Sequence, residues 1–236
     1  SRGGNITLSG KGWTGANPSC TAGNCYMIGI DIVGYSAGST IKTNNAGTIT
    51  LNGVGGTNYD STTHSAGINL YNGTGITANY IYSGSGAVAL NGTSGTGTAR
   101  LFAGINEDGG ATYIYSTSGA VTLNGTTSST SYTGLNVNLG ALYVGWNNST
   151  TVTSGNVNFY ADSINTVAGT TLSVKNSGVL TIAPNSASFS SALSFPSSAI
   201  TIAATNGLTL GKSGNTSGIT VGSATSVSGP VTIYGG

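Results

Sequence analysis

Tyr80 to Gly92 read YIYSGSGAVALNG, and thirty-three positions later Tyr113 to Gly125 read YIYSTSGAVTLNG, eleven of the thirteen positions being identical. A phrase returning with its register intact at a period near thirty residues is the signature of stacked repeats, each of which buries its apolar face only against its neighbours.

The second half of the phrase recurs along the chain. GNITLSG begins at Gly4, GTITLNG at Gly47, GAVALNG at Gly86, GAVTLNG at Gly119, GNVNFYA at Gly155, GVLTIAP at Gly178 and GPVTIYG at Gly229. Each begins with a glycine and then alternates apolar with small or polar residues, the period-2 pattern of a half-buried strand. The pairs expected to face inward are Ile6 with Leu8, Ile49 with Leu51, Val88 with Leu90, Val121 with Leu123, and Val157 with Phe159. Further short strands are expected between them, for example from Ala66, Thr133 and Thr170. A β-sandwich also has many short strands broken by turns, but it gives no reason for one phrase to return. Stacking does, because equivalent residues then lie about 4.8 Å apart. The expected fold is therefore all-β, a parallel β-helix or β-solenoid, forming a single domain over residues 1–236.

Loop insertions are expected to be denser in the N-terminal half. Candidates are residues 11–26, 57–65 and the shorter stretch Asn106 to Ala111, whereas residues 199–236 read as tight, insertion-poor coils. The only cysteines, Cys20 and Cys25, lie within the first insertion. They are read as a disulfide closing a short loop in an oxidising compartment, which places the chain outside the cell or on its surface.

Charged residues are only 5% of the chain, hydrophobic residues 37%, and the formal net charge is +1. No basic run offers a footprint for a nucleic-acid backbone, and no apolar run approaches the roughly 18 residues of a membrane helix. Neither nucleic acid nor membrane insertion is expected. The chain starts at Ser1, which suggests a processed or excised segment.

The recurrent G-x-[IV]-T-[LI]-x-G phrases, the nearly charge-free Ser/Thr/Asn/Gly composition and lines such as SSAITIAATNGLTLGKSG together resemble the filamentous-haemagglutinin-like exoproteins, β-helical adhesins exported by two-partner secretion. The resemblance extends over most of the chain. It implies a right-handed coil and a role as a shaft region of an extracellular adhesive fibre.

Enzymatic chemistry is not expected. The five acids, Asp31, Asp60, Glu107, Asp108 and Asp162, are dispersed, whereas glycan cleavage needs clustered carboxylates. Glu107 and Asp108 in GINEDGG read as a solvated turn, and Asp60 with His64 as an exposed loop. No catalytic residue, metal ligand or cofactor is assigned. Tyr80, Tyr82, Tyr113 and Tyr115 face solvent if Ile81 and Ile114 face inward, and fill the core if the phase is reversed. With Trp13 they are the candidates for glycan or lateral contact. Weak glycosylation candidates are Asn72, Asn91, Asn124 and Asn148. The function expected is a non-catalytic structural or adhesive component of a bacterial surface fibre. Its partner would be another copy of the chain, the rest of a longer chain, or glycans on a host or neighbouring cell. The alternative is a carbohydrate-binding module that uses exposed aromatics.

Overall fold

The structure, a computed structural model, describes residues 3–14, 26–58, 64–73, 75–97, 99, 101–147, 149, 153–197, 199–203, 205–222 and 225–236. It is all-β, and every strand pairing among these residues is parallel.

Eight strands form one sheet, stacked in chain order: Ile6–Lys11, Ile49–Val54, Val88–Thr93, Val121–Thr126, Val157–Ala161, Val179–Ala183, Gly207–Leu210 and Val231–Ile233. A nine-stranded sheet has as its spine Ile30–Gly34, His64–Asn72, Leu101–Ser116, Thr133–Val144, Thr171–Lys175 and Ile200–Ala203. The chain alternates between the two sheets and re-enters each beside its previous strand. This all-parallel connectivity is consistent with a β-solenoid, and it is not that of a sandwich built from antiparallel hairpins.

The register accounts for nearly every letter of the opening phrase. Val88 and Leu90 belong to two inward columns. One runs Ile6, Ile49, Val88, Val121, Val157, Leu180, Leu208 and Val231; the other runs Leu8, Leu51, Leu90, Leu123, Phe159, Ile182, Leu210 and Ile233. Away from the end strands these residues are buried. Each contributes about 1.5–3 kcal/mol by leaving water. Ile81 and Ile114 supply the facing wall, both fully buried.

The serine of YIYS is a corner clamp. The hydroxyl of Ser83 donates to the Gly47 carbonyl at 2.6 Å, and that of Ser116 to the Gly86 carbonyl at 2.7 Å. The glycine that follows packs directly on the coil below: a methyl on Gly86 would overlap the Gly47 carbonyl, and one on Gly119 the Gly86 carbonyl. The last glycine of the phrase marks a waist where the two sheets meet backbone to backbone. A Cβ on Gly53, Gly92 or Gly125 would overlap the carbonyl oxygen of Gly67, Gly104 or Gly134 respectively. Only glycine permits that approach.

One expectation changes. Asn106 to Ala111 do not protrude; they lie inside the sixteen-residue strand Leu101–Ser116. The doublet Gly109–Gly110 has φ of 109° and 62°, and the pairing with Thr133–Val144 shifts register between Glu107 and Ala111. The glycines therefore make a β-bulge, which keeps the strand paired on either side. In 57–65, Thr57–Asn58 pair with Thr96–Gly97, and His64 and Ser65 open the strand His64–Asn72; residues 59–63, with Asp60, lie outside the described residues. In 11–26, Lys11 ends the first strand and Thr14 bridges to Thr57, whereas Cys20 and Cys25 lie outside the described residues.

Candidate functional site

The tyrosine phase is outward. Because Ile81 and Ile114 are buried in the core, the tyrosines flanking them stand on the opposite face, in register from coil to coil. Tyr82 stacks on Tyr115 with ring centroids 4.8 Å apart and planes within 3°. Tyr80 stacks on Tyr113 at 5.2 Å, and Tyr113 on Tyr143 at 4.6 Å. The coil repeat of about 4.8 Å is itself a favourable ring-stacking distance, so the fold builds the ladder without adjusting the backbone. Tyr113, covered by a ring on each side, is only 4% exposed.

Tyr143 was not among the sequence candidates. Its signal was present: ATYIY from Ala111 and GALYV from Gly140 place a tyrosine beside an aliphatic residue in paired strands. Trp146 closes the ladder edge-on to Tyr113 and Tyr143. The Lys175 ammonium sits 5.4 Å from the Trp146 ring centroid, within cation–π range. Burial, and secondarily the neighbouring phenols, push the Tyr113 and Tyr115 hydroxyls up to about 12. Beside Tyr82 and Tyr115 lies a shallow groove of about 620 Å³ lined by Asn44, Asn45, Thr117 and Asn147.

Three of the acids come together, in a way their spacing did not announce. Glu107 points inward, in the column position held by Leu70 on one side and Val137 on the other. It is fully buried, and neither carboxylate oxygen has a hydrogen-bond partner. Burial and the adjacent Asp108 push its pKa up to about 10, so Glu107 is a neutral acid in the core. The expected solvated turn is instead a buried strand residue.

Asp31 and Asp108 face the other way. Asp31 ends a ladder of amides: Asn69 donates to it at 2.9 Å, Asn106 to Asn69 at 2.8 Å, Asn136 to Asn106 at 2.7 Å and Asn165 to Asn136 at 2.7 Å. Asn69, Asn106 and Asn136 each both donate and accept, which satisfies amides that the packing closes off from water. Asp108 accepts from Asn138 at 2.9 Å and lies 3.4 Å from Nδ1 of His64, whose ring meets Tyr26 edge-on at 5.8 Å. His64 is thus partly buried at a strand start rather than in an exposed loop. Burial raises the Asp31 pKa against the lowering effect of Asn69, and the charge of Asp108 raises it further. Between Asp31 and Asp108 lies a pocket of about 190 Å³ edged by Tyr26, Tyr35 and Tyr71.

The remaining candidates scatter. Trp13 is 64% exposed beside the bridge to Thr57, away from the tyrosine ladder. Asn72 is buried with its amide donating to Thr77, and Asn91 donates to Asn52. Asn124 is half-buried with a carbonyl oxygen lacking a partner, and Asn148 lies outside the described residues. Comparison of the chain with protein-family models, with curated protein sequences and with solved structures found no match.

Proposed function

We propose that this chain is a non-catalytic structural and adhesive element of an extracellular bacterial surface fibre, as a shaft segment of a larger exoprotein or as a protomer stacked end to end. The observation that carries the reading is the state of the end strands. Ile6–Lys11 and Val231–Ile233 each pair on one side only among the described residues, and their core-column side chains Leu8, Val231 and Ile233 are 42%, 52% and 46% exposed. Elsewhere the same columns are covered by the next coil. A parallel edge presenting apolar residues in register is a template for more of the same strand, whether from another copy or from a continuing chain. The low charge, 5%, lets rods lie side by side with little electrostatic penalty.

In this reading the coil is right-handed and carries loop insertions, as the resemblance to filamentous-haemagglutinin-like exoproteins implies, and the tyrosine ladder is the face for lateral or glycan contact. The groove beside Tyr82 and Tyr115 favours a second reading, a carbohydrate-binding module. Stacked rings next to Asn and Thr side chains suit a sugar, which has one apolar face and a hydroxyl rim.

Electron microscopy of the native protein tests the leading reading. Eight strands stacked in one sheet make a rod about 40 Å long. End-to-end assembly gives uniform filaments with that axial repeat. Monodisperse short rods across a wide concentration range refute assembly by this chain alone. A glycan array probed with wild type and Tyr82→Ala decides the second reading: specific binding lost in the variant supports it, and no binding refutes it.

A further inference from the structure

The pocket between Asp31 and Asp108 combines three features that neither a shaft nor a glycan platform requires. It is acidic: two carboxylates border it, and none of the described lysines does. It is aromatic: Tyr26 and Tyr35 are 58% and 79% exposed, and Tyr35 is tilted by 57° against Tyr71 at 6.1 Å, so the rings present faces in different directions. It is fixed: Asn69 holds Asp31 as part of the amide ladder, and Asn138 holds Asp108.

The two carboxylates also repel each other across the pocket, since the charge of Asp108 raises the Asp31 pKa. A neutral sugar leaves that repulsion in place, whereas a cation relieves it. A hard metal ion requires several oxygen ligands, and among the described residues no group of three or more His, Cys, Asp or Glu side chains is placed to hold one. An organic cation needs no such cage. Tyrosine faces attract alkylammonium and guanidinium groups, and the two carboxylates supply the countercharge.

We infer that this pocket binds an organic cation, an alkylammonium or guanidinium group, between the tyrosine rings and the Asp31 and Asp108 carboxylates. The volume of about 190 Å³ admits one such group with its alkyl stem. The proposal is independent of whether the rod assembles into filaments.

The test uses the whole chain, agmatine as a free guanidinium, a blocked Gly-Arg-Gly peptide as a side-chain source, and methyl glucoside as a neutral comparator. Binding is followed by two-dimensional amide NMR. Agmatine is expected to give saturable shifts at Asn69, Tyr71 and Asp108, weakened in 1 M salt, where screening shortens to about 3 Å. Asp31→Asn, which keeps the amide ladder by adding one more asparagine, is expected to weaken binding about three- to tenfold, and so is Tyr35→Ala at a largely exposed ring. Tyr234→Ala, on the last coil, is expected to change nothing. Peptide affinity equal to or above that of agmatine assigns the site to a partner protein's side chain; preference for agmatine assigns it to a small amine. Absence of saturable shifts, equal affinity in Asp31→Asn and wild type, or a saturable response to methyl glucoside alone overturns the proposal.

Discussion

Replacing Glu107 by glutamine isolates an acid whose unpartnered carboxyl lies in the hydrophobic interior. Burial raises the group from an ordinary 4.5 to about 10, so at pH 7 folding obliges it to take up a proton. Protonating a carboxyl of pKa 4.5 at pH 7 costs about 1.36 kcal/mol for each of roughly 2.5 units, or about 3.4 kcal/mol. The sign follows from linkage. The folded pKa lies above the unfolded one, so stability from this group is complete below about pH 4.5 and is lost as pH rises toward 10. Glutamine has nearly the same shape and no charge to lose. Glu107→Gln is therefore expected to match wild type near pH 4, to exceed it by about 3 kcal/mol at pH 7, and to gain about 1.4 kcal/mol more per further pH unit up to 9. Asp31 also has a raised pKa, and its contribution largely cancels in the difference between variants. Glu107→Leu, which restores the aliphatic column between Leu70 and Val137, is expected to be more stable still, because no polar group remains unpartnered. Urea unfolding at pH 4, 5.5, 7 and 8.5, followed by tyrosine fluorescence, gives the comparison. Wild-type and glutamine curves separated by the same amount at every pH would show that Glu107 is ionised in the folded protein, and would refute the reasoning.

The glycine waist, the amide ladder and the tyrosine stack give three further expectations. Gly92→Ala drives a methyl into the Gly104 carbonyl and is expected to cost more than about 2 kcal/mol in urea unfolding, as overpacking against backbone does; stability within 0.5 kcal/mol of wild type would mean that the waist has room. Asn106→Ala removes two ladder bonds and leaves the Asn69 carbonyl oxygen and the Asn136 amide without those partners. Its expected cost is about 2–4 kcal/mol, and Asn106→Asp at neutral pH is expected to be no better, because a carboxylate cannot donate to Asn69. Spectrophotometric titration at 295 nm is expected to resolve Tyr113 and Tyr115 ionising near 12, after the exposed phenols. Since their folded pKa values lie above the ordinary 10, the stability they contribute is lost as pH rises from about 10 to 12; a single transition near 10 in the folded protein would refute the stack.

The strand columns were legible because an inward position must be apolar in every coil, and period-2 alternation records that directly. Val88, Leu90 and their counterparts were assigned from pattern alone and are buried in the structure, whereas the phase of Ile81 and Ile114 stayed open in the sequence, because YIY alternates two residue types that both suit a core. The waist glycines and the corner serines were visible as recurrence, but their purpose was not. Pattern shows that Gly53, Gly92 and Gly125 repeat, whereas only the pairing of sheets shows that each meets a carbonyl across the molecule. The acid cluster was illegible for a related reason. Asp31 is separated from the adjacent pair Glu107 and Asp108 by a length of chain that the coil closes up, and the GG doublet after Asp108 is ordinary turn chemistry that here serves as a bulge inside a strand.

In-register stacking also accounts for the scarcity of charge. Every strand residue lies about 4.8 Å from its counterpart in the next coil, so a repeated tyrosine stacks and a repeated asparagine bonds to itself, but a repeated carboxylate or ammonium repels. The charged strand residues obey that rule: Lys11 faces Val54, Lys42 faces Tyr82, Lys175 faces Ala203, Asp31 faces Asn69, and Asp108 faces Tyr71. A solenoid that copies its own columns therefore loses charge as it gains coils, and the composition follows from the architecture without reference to any ligand. The same logic singles out the exceptions. Asp31 ends a column that is otherwise asparagine, and Asp108 stands in one that holds Tyr71. Each accepts an amide hydrogen bond from a neighbouring coil, but placing two like charges around one pocket opposes the pair. Charge kept against that cost marks the face on which binding is to be sought, separate from the tyrosine ladder.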